Sequence, residues 1–353
     1  MNYIDIKGYK SIKDVHVELE PINILIGANG SGKSNFLSFF EFLSAIFERK
    51  LFNYVNDKGI DKILHKGIKE TEDLKFKLAL SNESYTAEIK YIDYSFRFKL
   101  EKTSHNNEVI SVENESQKNS TESNFRITPE FKVPNIKKYL GGIKKYHFHD
   151  TGGRSPFQAE SNINNDYHFL YEDGRNIAAF LYKLREDHHR RYNLLIEIIQ
   201  SVAPYFSDFY LEENKNDLVR LFWKDKYSST IYGVNDFSDG TLRFIALATL
   251  FMQPKLPTVI IIDEPELGLH PFAISKLAGM IQSVASKDCQ VIVATQSPDL
   301  ISHFKPEDII TVDQINGETQ FKRLDSKELE LWLEEYSIDD LWKRSIITTG
   351  QPN

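Results

Sequence analysis

Residues 27–34 read Gly-Ala-Asn-Gly-Ser-Gly-Lys-Ser, a match to G-x-x-x-x-G-K-[ST], and no other stretch constrains the chain as strongly. The apolar run "INILIG" leads into it, and a helical pattern from Lys33 to about Phe47 follows. A strand, a glycine-rich turn and a helix in that order make a phosphate-binding loop. Gly27 and Gly32 let backbone N–H groups wrap the phosphates, with Asn29 and Gly30 between them. Lys33 is expected on the β and γ phosphates of a nucleotide, Ser34 on Mg²⁺, and Asn35 beside them.

The second half of such a site is "VIIIDEPE", residues 259–266. Four apolar residues describe a buried strand. Asp263 sits at its C-terminal end, where α/β sheets bind ligands, and is the expected Mg²⁺ carboxylate. Glu264 follows and is the candidate for polarising the attacking water. "QVIVATQSP", residues 290–298, reads as a second buried strand next to it, ending in Gln296. Near residue 240, "FSDGTLRFIALATL" opens a helix on Ser238, Asp239, Gly240 and Thr241. That is an ordinary cap by its residue types.

Elsewhere, "NYIDI" and "DVHVEL" alternate as strands, and so do "LKFKLAL", "YTAEIKYI" and "YSFRFKL" between about 74 and 100. Residues 101–125 are polar and read as an exposed loop. Residues 176–204 have a helical period that stops at Pro204, and a strand pair follows near 209–232. The chain has 353 residues and a single cysteine, Cys289, which rules out an internal disulfide. A formal net charge of −8 argues against a strongly basic nucleic-acid binder but leaves room for local basic patches. The charged N-terminus and the lack of a run near the roughly 20 apolar residues of a membrane span lead us to expect a soluble, cytoplasmic protein without membrane contact.

The order of the loop at 27–34, the serine-glycine helix start, "DEPE" and "GLHP" resembles ABC-type ATPases of the SMC/RecF-like branch. More narrowly, it is similar to the RecF-like, OLD-type AAA ATPases of bacterial defence operons. The likeness covers residues 1–50 and 230–312 well and the middle loosely. It implies an α/β fold: an ABC-type P-loop ATPase head with an antiparallel β lobe and a helical insert, and no long coiled coil. The whole of 1–353 would be one head. Its nucleotide-binding core would be 1–50 and 230–325, its β lobe 70–135 with the loop 101–125, its helical insert 160–215 and its C-terminal helical tail 326–353.

The resemblance also implies roles. "GYKSIKD" matches the family's opening element and places Lys10 near the nucleotide. "SDGT" would be the signature, with Ser238 and Gly240 meeting the γ-phosphate held by a second subunit, so that ATP joins a homodimer of heads. Leu267 to Pro271 would be the loop that crosses between subunits, and His270 a packing residue within it. Gln296 occupies the switch position where a histidine is common. The Q-loop is not obvious: His149 or Asp150 could serve near Mg²⁺, or that stretch is structural. The implied function is ATP and Mg²⁺ binding, ATP hydrolysis and control of a separately encoded effector, a nuclease, in phage defence. The alternatives are a RecF-like DNA-repair ATPase and a nucleotide-gated scaffold. The basic clusters at 137–145 and 183–191 read either as solvated faces or as contacts to DNA or RNA phosphates. The aromatic C-terminal segment packs on its own head or docks a partner.

Overall fold

The computed structural model describes residues 1–114, 120–287, 289–344 and 346–347. The chain divides into two compact units. The first holds 1–143, 258–261 and 290 to the C-terminus, and the second holds 144–257 and 262–289.

Two sheets and several helices, the longest of them Lys33–Phe47, build the first unit. Strand Ile22–Ile26 is buried at every residue, as a continuous apolar run requires of a strand covered on both faces. It pairs in parallel with Gln290–Thr295, Ile22 opposite Val291 and Ile26 opposite Thr295. On its other side it pairs with Ile309–Ile315, which turns back as Glu318–Arg323. Beyond Gln290–Thr295 the order continues with Val259–Asp263 and Ile143–Tyr146, both of which begin in this unit and end in the other. The second sheet is antiparallel, ordered Ile12–Glu18, Tyr3–Tyr9, Asp73–Leu80, Glu83–Ile92, Ser95–His105, Glu108–Asn114. Helix Lys33–Phe47 buries residues all round, including Phe36, Phe39, Phe40 and Phe42, and belongs to one core with residues of both sheets. Phe39 meets Tyr9 edge-on at 4.9 Å and Phe76 at 5.8 Å, while Leu25 and Ile292 join the same core from the parallel sheet. A helix gripped this way holds the loop before it in place.

The second unit carries helices Ile177–Asp187, His189–Val202, Asp239–Phe251 and Pro271–Ala285. It also has a small antiparallel sheet of Phe206–Tyr210, Phe222–Asp225 and Ile231–Gly233. Trp223 stacks on Phe237 at 4.4 Å, just before the Asp239 helix, which is buried from Leu242 to Phe251. Among the described residues the longest helices, Lys33–Phe47 and Pro271–Ala285, have 15 residues each, and none is long and apolar enough to cross a membrane.

Two expectations from the sequence are corrected. Residues 101–114, expected as an exposed loop, are strand up to Asn114. Their polarity misleads because the Glu101 carboxylate is buried but satisfied, accepting from the Tyr85 hydroxyl at 2.6 Å, the Ser123 hydroxyl at 2.6 Å and the Asn124 amide at 3.0 Å. Residues 115–119 of that expectation lie outside the described residues. The first two strands lie on the antiparallel sheet, where Tyr3–Tyr9 pairs with Asp73–Leu80. The helical stretch 176–204 breaks at His188, whose φ of −139° is not helical. Within 160–215, Ser161–Asn162 and Phe206–Tyr210 are strands, the second close to the strand pair expected near 209–232. In the C-terminal tail, Ser326–Leu333 and Ile338–Lys343 are helices, and 345 and 348–353 lie outside the described residues.

Candidate functional site

The loop at 27–34 is braced from outside by its own unit. A Cβ on Gly27 would stand 2.2 Å from the Val312 carbonyl oxygen, and one on Gly32 would stand 2.1 Å from Thr319 Oγ1. Gly30 and Gly32 have φ of +79° and +110°, a left-handed backbone that side chains resist. Thr319 also donates through Oγ1 to the Ser31 carbonyl at 3.1 Å, so the 309–323 hairpin clamps the loop's back. Gly27 is therefore needed for close approach, Gly30 for turning and Gly32 for both.

On the open side, Asn29, Gly30 and Ser34 are exposed while Lys33 is buried. The Lys33 ammonium donates to the loop's own carbonyls, Gly27 at 2.6 Å and Ala28 at 3.0 Å. Helix Lys33–Phe47 starts at Gly32, which has no side chain to cap the N–H groups of the first turn. Uncapped amides and a lysine folded onto the loop suit an anion of several charges. The register that sets Thr295 opposite Ile26 brings Gln296 to the loop. Its amide donates to Asn29 Oδ1 at 2.7 Å.

Lys10 and Asn35 lie in the same unit. Lys10, at φ +48° in the turn between the first two strands, donates to Ser38 Oγ at 2.7 Å, five residues beyond Lys33 on the helix. Asn35 donates to Ser11 Oγ at 2.7 Å. The hairpin turn at Lys10 and Ser11 thus grips the first two turns of the helix.

In the second unit, Asp263 ends its strand half-exposed, and its carbonyl accepts from His149 Nε2 at 3.1 Å. Of the two Q-loop candidates, His149 is the one on Asp263; Asp150 instead accepts the Gly152 amide at 3.3 Å within its own turn. Glu264 has φ of +46°, a strained state for a residue with a side chain and one that tends to occur at functional sites.

Ser238 caps its own helix, accepting the Thr241 amide at 3.2 Å and sharing a hydrogen bond with Thr241 Oγ1 at 2.8 Å. Gly240 has a reason within its own chain: a Cβ there would stand 2.2 Å from the Gly268 carbonyl oxygen. His270 caps helix Pro271–Ala285, its Nδ1 accepting the Phe272 amide at 3.2 Å.

Arg243 was not singled out from the sequence. It is buried, and its guanidinium donates to the carbonyls of Phe148 at 3.2 Å, His149 at 3.3 Å and Leu267. Burial lowers its pKa, which the nearby Asp239 carboxylate opposes. One residue thus ties the Phe148–His149 segment and the 264–268 turn to the helix start. The signal was an arginine inside an otherwise apolar helical run, "LRFIALATLF".

A nucleotide's phosphates fit the loop by this cradle. The proposed Mg²⁺ donors, a hydroxyl at Ser34 and a carboxylate at Asp263, are the hard oxygen ligands this ion takes.

The family described as "AAA domain, putative AbiEii toxin, Type IV TA system" matches residues 22–302. Among curated proteins, the chain is 23% identical over 365 residues to the Old nuclease of Escherichia phage P2. The match takes in 93% of this chain but 61% of that protein, so the chain spans only part of this relative's length. Among solved structures, an Smc head bound to the C-terminal winged-helix domain of ScpA is similar with a TM-score of 0.63 and 17% identity, over 94% of this chain and 99% of that one. The Smc head of Pyrococcus furiosus with an extended coiled coil, bound to the C-terminal domain of ScpA, gives a TM-score of 0.57 and 15% identity, over 95% and 98%. At these identities the two structures show a shared fold, that of an SMC-type head.

Proposed function

The chain belongs to this AAA-domain family and has the fold of an SMC-type head, and from that premise we propose that it binds and hydrolyses ATP with Mg²⁺. We further propose that two copies pair head to tail through ATP, and that the cycle controls a separately encoded effector, a nuclease, in phage defence. The observation that carries the reading is the loop at 27–34, with its two crowded glycines, its folded-back Lys33 and Gln296 on Asn29.

In this reading Lys33 exchanges the Gly27 and Ala28 carbonyls for the β and γ phosphates. The exchange is nearly balanced in hydrogen bonds, so the gain is electrostatic. The amides of 32–35 hold the phosphates, with Asn29, Gly30 and Asn35 lining the loop. Ser34 and Asp263 hold Mg²⁺, which neutralises charge on the phosphates. Glu264 orients the attacking water, and Gln296 donates a neutral hydrogen bond to charge developing in the transition state. Ser238 and Gly240 present their helix start to the second copy's γ-phosphate. Lys10 acts through Ser38 on the helix behind the loop. The two similar heads are each described with a bound ScpA domain.

The test is ATP-dependent dimerisation by light scattering, wild type against Ser238→Arg. Pairing that requires ATP and vanishes in the variant, with ATP still bound, supports the reading. A monomer with ATP bound in both removes the head-to-tail pair.

A further inference from the structure

The turn between strands Tyr3–Tyr9 and Ile12–Glu18 bears on the phosphate loop from two directions, both within the first unit. Lys10 donates to Ser38 Oγ at 2.7 Å, and Ser11 Oγ accepts from Asn35 at 2.7 Å, so the turn holds the helix that follows the loop. Ser11 also reaches the loop's brace. Its carbonyl accepts the Thr319 amide at 2.8 Å. Its hydroxyl lies 2.7 Å from Thr319 Oγ1, the oxygen that meets the Ser31 carbonyl. Whatever fixes this turn therefore fixes the surroundings of the loop at 27–34.

The turn is not a relaxed one. Gly8 and Lys10 have φ of +81° and +48°, and Lys10 carries a side chain that resists this left-handed state. Such a backbone persists where its surroundings over-determine it. Here they are Ile63, which ends the short helix Ile60–Ile63, and the next two residues. The Lys10 amide donates to the Ile63 carbonyl at 2.8 Å, and the His65 amide donates to the Gly8 carbonyl at 3.1 Å. Between them Tyr9 and Leu64 pair as an antiparallel bridge. A side chain completes the hold: His65 Nδ1 lies 2.7 Å from the Lys10 carbonyl oxygen. A carbonyl only accepts, so Nδ1 carries a proton and donates it. His65 is 5% exposed, and its Nε2 is buried with no hydrogen-bond partner among the described residues. An orphaned buried nitrogen is unfavourable, and an apolar filler would avoid it. What the histidine supplies that a filler does not is the Nδ1 donor to Lys10.

We propose that His65 is a positioning residue for nucleotide binding. Its Nδ1–H holds the Lys10 carbonyl and keeps the turn left-handed, and the turn sets the loop at 27–34 and the start of its helix through Ser38, Asn35 and Thr319. The inference rests on the reading that this loop holds a nucleotide's phosphates.

The probe is a non-hydrolysable ATP analogue with Mg²⁺, titrated by calorimetry into the full chain. His65→Leu should weaken binding about tenfold, the effect of losing one buried donor. Asparagine puts an amide N–H where Nδ1 stands, whereas glutamine reaches past it toward Nε2. His65→Asn should therefore stay within about threefold of wild type, and His65→Gln should lose about as much as His65→Leu. Ser11→Ala lies on the same route, so adding it to His65→Leu should cost less than the product of the two separate losses. Urea midpoints measured alongside separate positioning from folding, and if His65→Leu does not fold, the Asn and Gln variants carry the test. The inference is overturned by wild-type affinity in His65→Leu, by His65→Asn binding no better than His65→Gln, or by separate losses that simply multiply. Wild-type binding with indifferent variants removes this inference alone; no binding by the wild-type chain removes the reading of the loop and this inference with it.

Discussion

The Gln296 side-chain amide donates to Asn29 Oδ1 at 2.7 Å, joining the end of the Gln290–Thr295 strand to the tip of the phosphate loop. Gln296→Ala should lower kcat by about 10²–10³ while ATP affinity changes little, because a donor to developing charge is lost. Gln296→His should retain turnover and add a pH dependence near the unperturbed imidazole pKa of about 6.5, falling as the ring changes charge. Steady-state rates across pH 5.5–8 separate these, and a wild-type rate in Gln296→Ala would mean the glutamine only ties down Asn29.

Glu264 combines a proposed chemical role with a backbone at φ +46°. Glu264→Gly should raise stability by about 1 kcal/mol, since glycine relieves the left-handed strain, while it abolishes turnover. Glu264→Gln should keep the strain, slow hydrolysis and accumulate ATP-bound dimer. Urea denaturation alongside turnover reads both; a Glu264→Gly chain that is less stable than wild type would show that the φ angle is held by the side chain.

Ser238 has a cap role and a proposed role in trans. Ser238→Ala should cost about 1 kcal/mol of stability by loss of the cap to Thr241. Ser238→Arg should block pairing and spare ATP binding. Mixing Ser238→Arg with Lys33→Ala chains should leave at most one intact composite site per pair. If Ser238→Arg abolishes ATP binding by the monomer, the helix serves its own chain's nucleotide.

Gly32→Ala tests the clamp from behind the loop. A Cβ there would stand 2.1 Å from Thr319 Oγ1 at a φ of +110°. The substitution should destabilise by at least about 2 kcal/mol. Adding Thr319→Ala should recover part of that loss, because the crowded hydroxyl goes while the φ strain stays. Full stability in Gly32→Ala alone would mean the hairpin yields freely.

The strand, loop and helix at 22–47 were legible because three local signals agree there: a continuous apolar run, glycines at fixed offsets and a helical period. The strand at 259–263 was legible from its continuous apolar run ending in Asp263. The placement of the first two strands was not, since alternation marks a strand but not its partner. Residues 101–114 failed because Glu101 is buried among hydrogen-bond donors far away in sequence, and composition counts it as exposed. In the site, residue types and offsets nominated Lys33, Ser34, Asp263 and Glu264. The contact of Gln296 with Asn29 and the grip of Arg243 on three carbonyls depend on register and tertiary approach, which no local pattern carries. Gly240 shows the same limit. Its spacing resembles a signature, yet the Gly268 carbonyl alone already requires a glycine there.

The most direct test is single-turnover hydrolysis of ATP with Mg²⁺, enzyme in excess, by the wild-type chain and by Lys33→Ala. Lys33 is the loop's only cation and now bonds the Gly27 and Ala28 carbonyls. The account predicts that wild type converts bound ATP to ADP and phosphate and that Lys33→Ala does not. Equal conversion by both chains, or none by wild type, would contradict it.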